Sequence, residues 1–292
     1  MKNPLSSHYT TARDEELVRQ SLAGDKQALD QLVRLHQPFI YNLAWKMVHD
    51  PDDAMDLTQE VLVKVITKLS QFSFKSAFRT WLYRIVTNEF LQGKRRKTEL
   101  RLTSFEDHSV GLDAIPNPDL NRQEELELEE LSRELQISCM SAMLMCLNRE
   151  QRLIYILGEA FGVDHKIGAE IFEISPANFR VKLHRARKDF YSYTNKKCGL
   201  VNTDNPCRCP KKTKALKKMG ALDEQNMRFN ISYKNRIANY VAENYAEVND
   251  TYEAKYLELF REHPTRDTFD KETIVDELLK NDDLLSYFNR DL

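Results

Sequence analysis

Residues 51–97 read PDDAMDLTQEVLVKVITKLSQFSFKSAFRTWLYRIVTNEFLQGKRRK, and this stretch decides the fold. It predicts two consecutive amphipathic helices, each with a distinctive second face. Asp50 is placed to N-cap the first, and Pro51 suits its opening position, where no backbone N–H is needed. At about 100° per residue, Leu57, Val61, Leu62, Val65 and Leu69 fall on one apolar stripe. Asp56, Gln59, Glu60 and Thr67 lie opposite, with Val63 among them. An apolar residue ringed by acceptors suits a protein partner. In the second helix Phe78, Trp81, Leu82, Ile85 and Val86 form the expected core face. Thr80, Arg84, Thr87 and Asn88 are expected opposite, and the helix runs out into Lys94, Arg95, Arg96 and Lys97. Arg and Asn can make forked hydrogen bonds to base edges, and trailing cations hold a phosphate backbone. The plainer reading of this block is an ordinary solvated helix pair.

A second block, LNREQRLIYILGEAFGVDHKIGAEIFEISPANFRVKLHRARKDF at 147–190, predicts a helix-turn-helix. Ala169 is the small residue expected where two helices approach, Ile174 plugs the turn, Ser175 caps, and Pro176 opens the second helix. Phe179, Leu183, Ala186 and Phe190 recur at the spacing of a buried face. Ala177, Val181, His184, Arg185 and Lys188 then point outward, flanked by Asn178, Arg180, Lys182 and Arg187, as a recognition helix presented to a major groove.

Together the DLTQEV and TWLYRIVTN strings and the SPANF and HRAR strings resemble the sigma-70 family, in its extracytoplasmic-function branch. The resemblance covers roughly residues 14–194. The first block is similar to region 2 and the second to region 4. It implies that Asp56, Gln59, Glu60 and Val63 bind the polymerase core, and that Thr80, Trp81, Arg84, Asn88, Arg95 and Arg96 meet the −10 element. Trp81 is placed by its angle in the core more than as a stacking platform. Ala177, Asn178, Arg180, Val181, His184, Arg185, Arg187 and Lys188 would meet the −35 element. Glu173 stands where the family usually has Gly, and Ile167 where an acid is common. The implied partners are RNA polymerase core and promoter DNA, with an anti-sigma factor as a further partner of such proteins, and no covalent chemistry is implied.

The chain has 292 residues and a net charge of −2 that conceals a polarised layout. Residues 98–140 carry net −8, 176–218 net +11 and 221–292 net −7, which suggests nucleic-acid contact in the basic part and masking or protein contact in the acidic parts. The expected class is all-α: two helical sigma domains joined by a linker, with a C-terminal helical extension. The expected division is a disordered 1–13, region 2 over 14–97, an acidic linker over 98–123 and region 4 over 124–194. A basic, cysteine-bearing connector follows at 195–219, then the acidic helical extension at 220–292. That extension, with Tyr252, Tyr256 and Phe260 on one stripe, is expected either to dock on region 4 or the connector, or to stand as an independent domain on a flexible tether or a landing pad for another protein. No apolar run approaches the roughly 20 residues of a membrane span, and the first residues have no secretory core, so no membrane insertion and a cytoplasmic location are expected.

Five cysteines in such a chain argue for thiols or metal ligands over a disulfide framework. Cys198, Cys207 and Cys209 fall within twelve residues and could hold zinc if His184 or water supplied a fourth ligand. Because the spacing is not a paired C-x2-C signature, a turn-rich connector with reduced thiols is preferred and no cofactor is expected. Cys139 and Cys146 read as inert helix cysteines. Two other classes compete. A plain helix-turn-helix regulator would bind duplex DNA without polymerase. A zinc enzyme would need a base beside an open metal position, and none is evident.

Overall fold

The computed structural model describes residues 4–5, 9–94, 99 and 104–222, and every regular element among them is helical. The helices are α1 (Ala12–Leu22), α2 (Lys26–Val48), α3 (Pro51–Thr67), α4 (Phe78–Gln92), α5 (Phe105–Ala114), α6 (Arg122–Glu127), α7 (Glu129–Met145), α8 (Arg149–Tyr155), α9 (His165–Phe172), α10 (Pro176–Lys197) and α11 (Cys209–Lys218). A π turn at Ile156–Ala160 continues α8. The extension from residue 223 onward, with its expected docking stripe, lies outside the described residues.

Among the described residues two compact units emerge: those up to Lys94 together with Leu153–Leu183, and those from Glu99 to Arg152 together with those from His184 to residue 222. The expected region-4 segment 124–194 is therefore shared between units, and α10 runs through both.

In the first unit, side-chain caps set the helix starts. Asp25 accepts from the N–H groups of Gln27 and Ala28 at 2.8 and 3.1 Å, and Asp50 from those of Asp52 and Asp53 at 3.0 Å each. These bonds satisfy donors that the helix itself cannot. α2 packs on α1 and α3, while α4 packs on both α3 and α9. Beneath them Asp14 and His36 form a buried contact at 3.4 Å, and the Tyr9 hydroxyl donates to Asp14 at 2.8 Å. The expectation of disorder over 1–13 is corrected for the residues described there. Leu5 is fully buried, Arg79 donates to the Pro4 carbonyl at 3.0 Å, and α1 already starts at Ala12.

The second unit corrects the linker and the connector. Inside the expected linker, Ser104 caps α5 through the Asp107 N–H at 3.0 Å. α5 is fastened at its first turn: the Phe105 ring lies 4.7 Å from that of Tyr193, and His108 meets the Tyr193 hydroxyl at 2.6 Å. The connector, read as aperiodic, contains α11, with Pro210 in its first turn. Acidic linker and basic connector hold each other. Lys197 pairs with Asp113 at 2.7 Å, Lys211 with Asp119 at 3.1 Å and Lys214 with Glu124 at 2.5 Å, while Lys212 donates to the carbonyls of Leu112 and Ile115. Hydrogen bonds from Lys197 and Lys214 hold the Asp113 and Glu124 carboxyls below their ordinary values. These pairs lie in solvent, so they fix arrangement more than they add stability.

Candidate nucleic-acid and polymerase interface

The acidic face of α3 is built as the sequence predicts. Leu57, Val61, Leu62 and Val65 are buried, whereas Asp56 and Glu60 are exposed and Gln59 and Val63 half-buried. These four residues line one open groove of about 430 Å³. Lys64 and Glu89 complete its wall and are joined in an ion pair. The sequence reading missed this pair, although Lys64 stands four residues after Glu60 on the same face.

α4 departs from the expectation. Thr80 is 2 % exposed and Thr87 is also buried, so neither presents a hydroxyl to solvent. Tyr83, unassigned from the sequence, is fully buried. Trp81 and Ile85, expected in the core, are half-buried. The Trp81 ring leans on Phe72 and Phe78 at 5.5 and 5.6 Å. The physical reason is that α4 is covered on two sides, by α3 and by α9. Asn88 remains exposed. Arg84 donates to the Glu170 carbonyl at 3.1 Å and pairs with Glu173 at 3.3 Å. Arg95 and Arg96 lie outside the described residues.

Glu173 terminates α9 in the left-handed region at φ 55°. That geometry is natural for Gly and strained for a residue with a Cβ. After it, the Asn178 N–H donates to Ser175 Oγ at 3.2 Å, and α10 begins at Pro176. Phe179 and Leu183 pack against Ile154 and Ala169, with Phe172 and Ile174 closing the edge. Ala169 is buried there as expected, and its neighbour Gly168 is also close-packed: a Cβ at Gly168 would lie 2.5 Å from the Phe179 ring.

The outer face of α10 matches the sequence reading. Ala177, Asn178, Arg180, Val181, His184, Arg185 and Lys188 are exposed and Arg187 is half-buried. Val181 is 47 % exposed, a large apolar group among cations. Such a face offers forked donors for base edges, point charges for phosphate and one apolar contact of the kind a thymine methyl accepts.

Among the described residues no three His, Cys, Asp or Glu side chains stand ready to hold a metal ion, and no helix is long and apolar enough to cross a membrane. Cys198 and Cys207 are half-buried and Cys209 is buried, all three as free thiols. His184, considered as a fourth ligand, is on the exposed face of α10.

Two family matches coincide with these faces. Residues 32–99 match Sigma-70 region 2 and residues 137–190 match Sigma-70, region 4. The chain is 32 % identical over 178 residues to the ECF RNA polymerase sigma factor SigE of Mycolicibacterium smegmatis, covering 59 % of this chain and 65 % of that one. It is 43 % identical over 79 residues to the RNA polymerase sigma-H factor of Pseudomonas aeruginosa, covering 27 % of this chain and 41 % of that one. With the ECF RNA polymerase sigma-E factor of Haemophilus influenzae the identity is 30 % over 183 residues, covering 60 % of this chain and 92 % of the relative. The chain belongs to the extracytoplasmic-function branch of the sigma-70 family. It spans less than two thirds of the length of the first two relatives.

Proposed function

We propose that this chain is a transcription initiation factor that binds RNA polymerase core, recognises −10 and −35 promoter elements and performs no covalent chemistry. A cytoplasmic location goes with that role. The observation that carries the proposal is the α3 groove, where Asp56, Gln59, Glu60 and Val63 come together as one acidic, partly apolar face beside the helix assigned to the −10 element. The recognition face of α10 supplies the second promoter contact. Run-off transcription with purified core tests it: transcripts from a cognate promoter should require both core and this chain. Tight, specific duplex binding by the chain alone, with no transcript, would favour a plain helix-turn-helix regulator.

Within this role, Glu60→Lys is expected to weaken core binding without loss of fold. Glu60 is exposed on the face opposite the packed stripe, so the change reverses a contact charge and leaves packing alone. Fluorescence titration with core, beside an unchanged circular dichroism spectrum, checks it. Undiminished affinity would remove α3 as the core contact.

On α10 two substitutions should behave differently. Arg185→Ala should reduce discrimination at the −35 element by about 1–3 kcal/mol, the range of a forked base contact. Lys188→Ala should lower affinity evenly across sequences, because a phosphate contact carries no sequence information. Binding of holoenzyme to a panel of −35 variants separates them. Equal losses on every variant would mean that neither side chain reads a base.

Arg84 is engaged by Glu170 and Glu173 in this structure. Its proposed promoter role therefore requires it to exchange protein acceptors for DNA.

A further inference from the structure

On the function proposed above, we infer that the linker between Gln92 and Leu112 is a stowed tether, held by Glu99 and α5 in the free chain and released when both promoter elements are bound. Elements named −10 and −35 stand about 25 base pairs apart, or about 85 Å at some 34 Å per helical turn. The faces assigned to them are far closer here. Arg84 of the −10 helix pairs at 3.3 Å with Glu173, and Ala177 of the −35 helix comes four positions later. A straight duplex cannot meet both faces in this arrangement, so α4 and α9 must part.

Chain length then decides how far they can go. Glu99 is buried, with Oε1 accepting from Arg149 and Arg152 at 3.1 Å each and Oε2 accepting from Arg149 at 3.2 Å. It stands seven positions beyond Gln92, the last residue of α4. An extended chain spans at most about 3.6 Å per residue, so with Glu99 held this link reaches about 25 Å. The width of a small domain adds about 30 Å, and the total falls well short of the separation on DNA. Release as far as Leu112 gives a link of twenty positions, and its reach rises to about 70 Å.

The fastenings are graded in a way that permits this. α5 buries none of its residues, and Val110 on it is 66 % exposed. Its first turn is held by the contacts of Phe105 and His108 with Tyr193. A helix this short, with Gly111 inside it, does not persist alone in water, so α5 extends once Tyr193 lets it go. From Leu112 onward the grip is firmer. Lys212 is buried and donates to the Leu112 and Ile115 carbonyls, while Lys197, Lys211 and Lys214 hold Asp113, Asp119 and Glu124. α11 buries Cys209, Lys212, Thr213 and Ala215 and packs on α7. The connector is therefore the base to which the tether stays tied, and Glu99 is its catch. On release the Glu99 carboxylate regains water, and Arg152 keeps the carbonyls of Leu144, Met145 and Leu147.

Photo-crosslinking on the full chain tests the release. With p-benzoylphenylalanine in place of Phe105, the free chain should crosslink to the α10 peptide that contains Tyr193. In complexes with core and a promoter bearing both elements, that product should largely vanish. Glu99→Gln weakens the catch and should raise occupancy of the two-element promoter several-fold, with occupancy of a promoter bearing the −10 element alone unchanged. A residue that only stabilised its unit would lower the first. Should Glu99→Gln fail to fold, the crosslink decides alone. An undiminished crosslink in complexes that make transcript overturns the stowed tether, as does no crosslink to that peptide in the free chain. Two-element occupancy that is unchanged or lower in folded Glu99→Gln overturns it too. Absence of any transcript with core would instead sink the proposed function, and the tether's release would fall with it.

Discussion

Arg152→Ala is expected to destabilise the second unit by about 3–5 kcal/mol, the cost of breaking a buried ion pair by removing one partner. The Arg152 side chain is 3 % exposed and that of Glu99 is 1 % exposed, with 3.1 Å between them. The same guanidinium donates to the carbonyls of Leu144, Met145 and Leu147 at 3.1, 3.3 and 3.3 Å, around the end of α7. The Leu144 carbonyl also accepts from the Leu147 N–H at 3.1 Å, and the guanidinium adds a donor at a helix end where backbone donors run out. Burial pulls the Arg152 guanidinium below its ordinary value, and Glu99 works against that shift. Truncation would leave a carboxylate and several carbonyls in a dry site. Arg149 donates to both oxygens of Glu99, to Oε1 at 3.1 Å beside Arg152 and to Oε2 at 3.2 Å, but is more exposed, so Arg149→Ala should cost less. Native-state hydrogen exchange over residues 129–152 reads the effect locally, which matters in a chain of two units. A loss below about 1 kcal/mol, the size of a surface pair, would show that the cluster is not buried in solution.

The second large effect is expected for Gly168→Ala. Its new Cβ would sit 2.5, 2.6 and 2.9 Å from three carbons of the Phe179 ring. That ring is fully buried among Ile154, Ala169 and Leu183, so it has no room to rotate away. Overpacking of this kind costs about 1–3 kcal/mol. Because the displaced residue belongs to α10, promoter binding at the −35 element should fall with stability. Gly158 is the control. A Cβ there meets the end of the Leu183 side chain at 2.7 Å, which has rotamers available, so Gly158→Ala should be milder. Thermal unfolding of both variants, with holoenzyme binding, tests the ranking. Equal or reversed costs would mean that Phe179 does not rest on Gly168.

The sequence was most legible where a helix keeps one whole face in solvent. The stripe from Leu57 to Val65 and the acidic face opposite came out as read, because α3 keeps a solvent face and its periodicity has a single meaning. The same holds for α10, whose cap, turn and outer cations all lie within a few residues. α4 was misread at Thr80, Thr87 and Tyr83 because a helical wheel supposes one buried face, and this helix is covered by α3 and by α9, whose residues come some eighty positions later. Ala169 came out buried against Phe179 as read, whereas Gly168 beside it, where a Cβ would meet the same ring, went unremarked. Glu99 was invisible in principle. A single acid in a polar stretch announces nothing until Arg149 and Arg152 are brought to it. α5 gave no signal for a similar reason: it buries no residue of its own and is held by contacts from distant lysines and Tyr193.

The Arg84–Glu173 pair has a consequence for how promoter binding responds to ionic strength. A free arginine that neutralises a phosphate releases a counterion, and affinity falls steeply as salt rises. Arg84 starts from a carboxylate, so in its proposed promoter role a transfer to DNA would exchange one ionic contact for another. Added salt screens the initial pair as well as the final one, and the two losses partly cancel. The share of promoter affinity proposed to pass through Arg84 should therefore be less sensitive to salt than a share carried by a cation that starts in water. A glycine at the turn, as the family usually has, would leave Arg84 without that counterweight. Under the promoter role proposed for Arg84, the carboxylate at residue 173 would act as a built-in salt buffer for that contact, maintained at the cost of a strained turn.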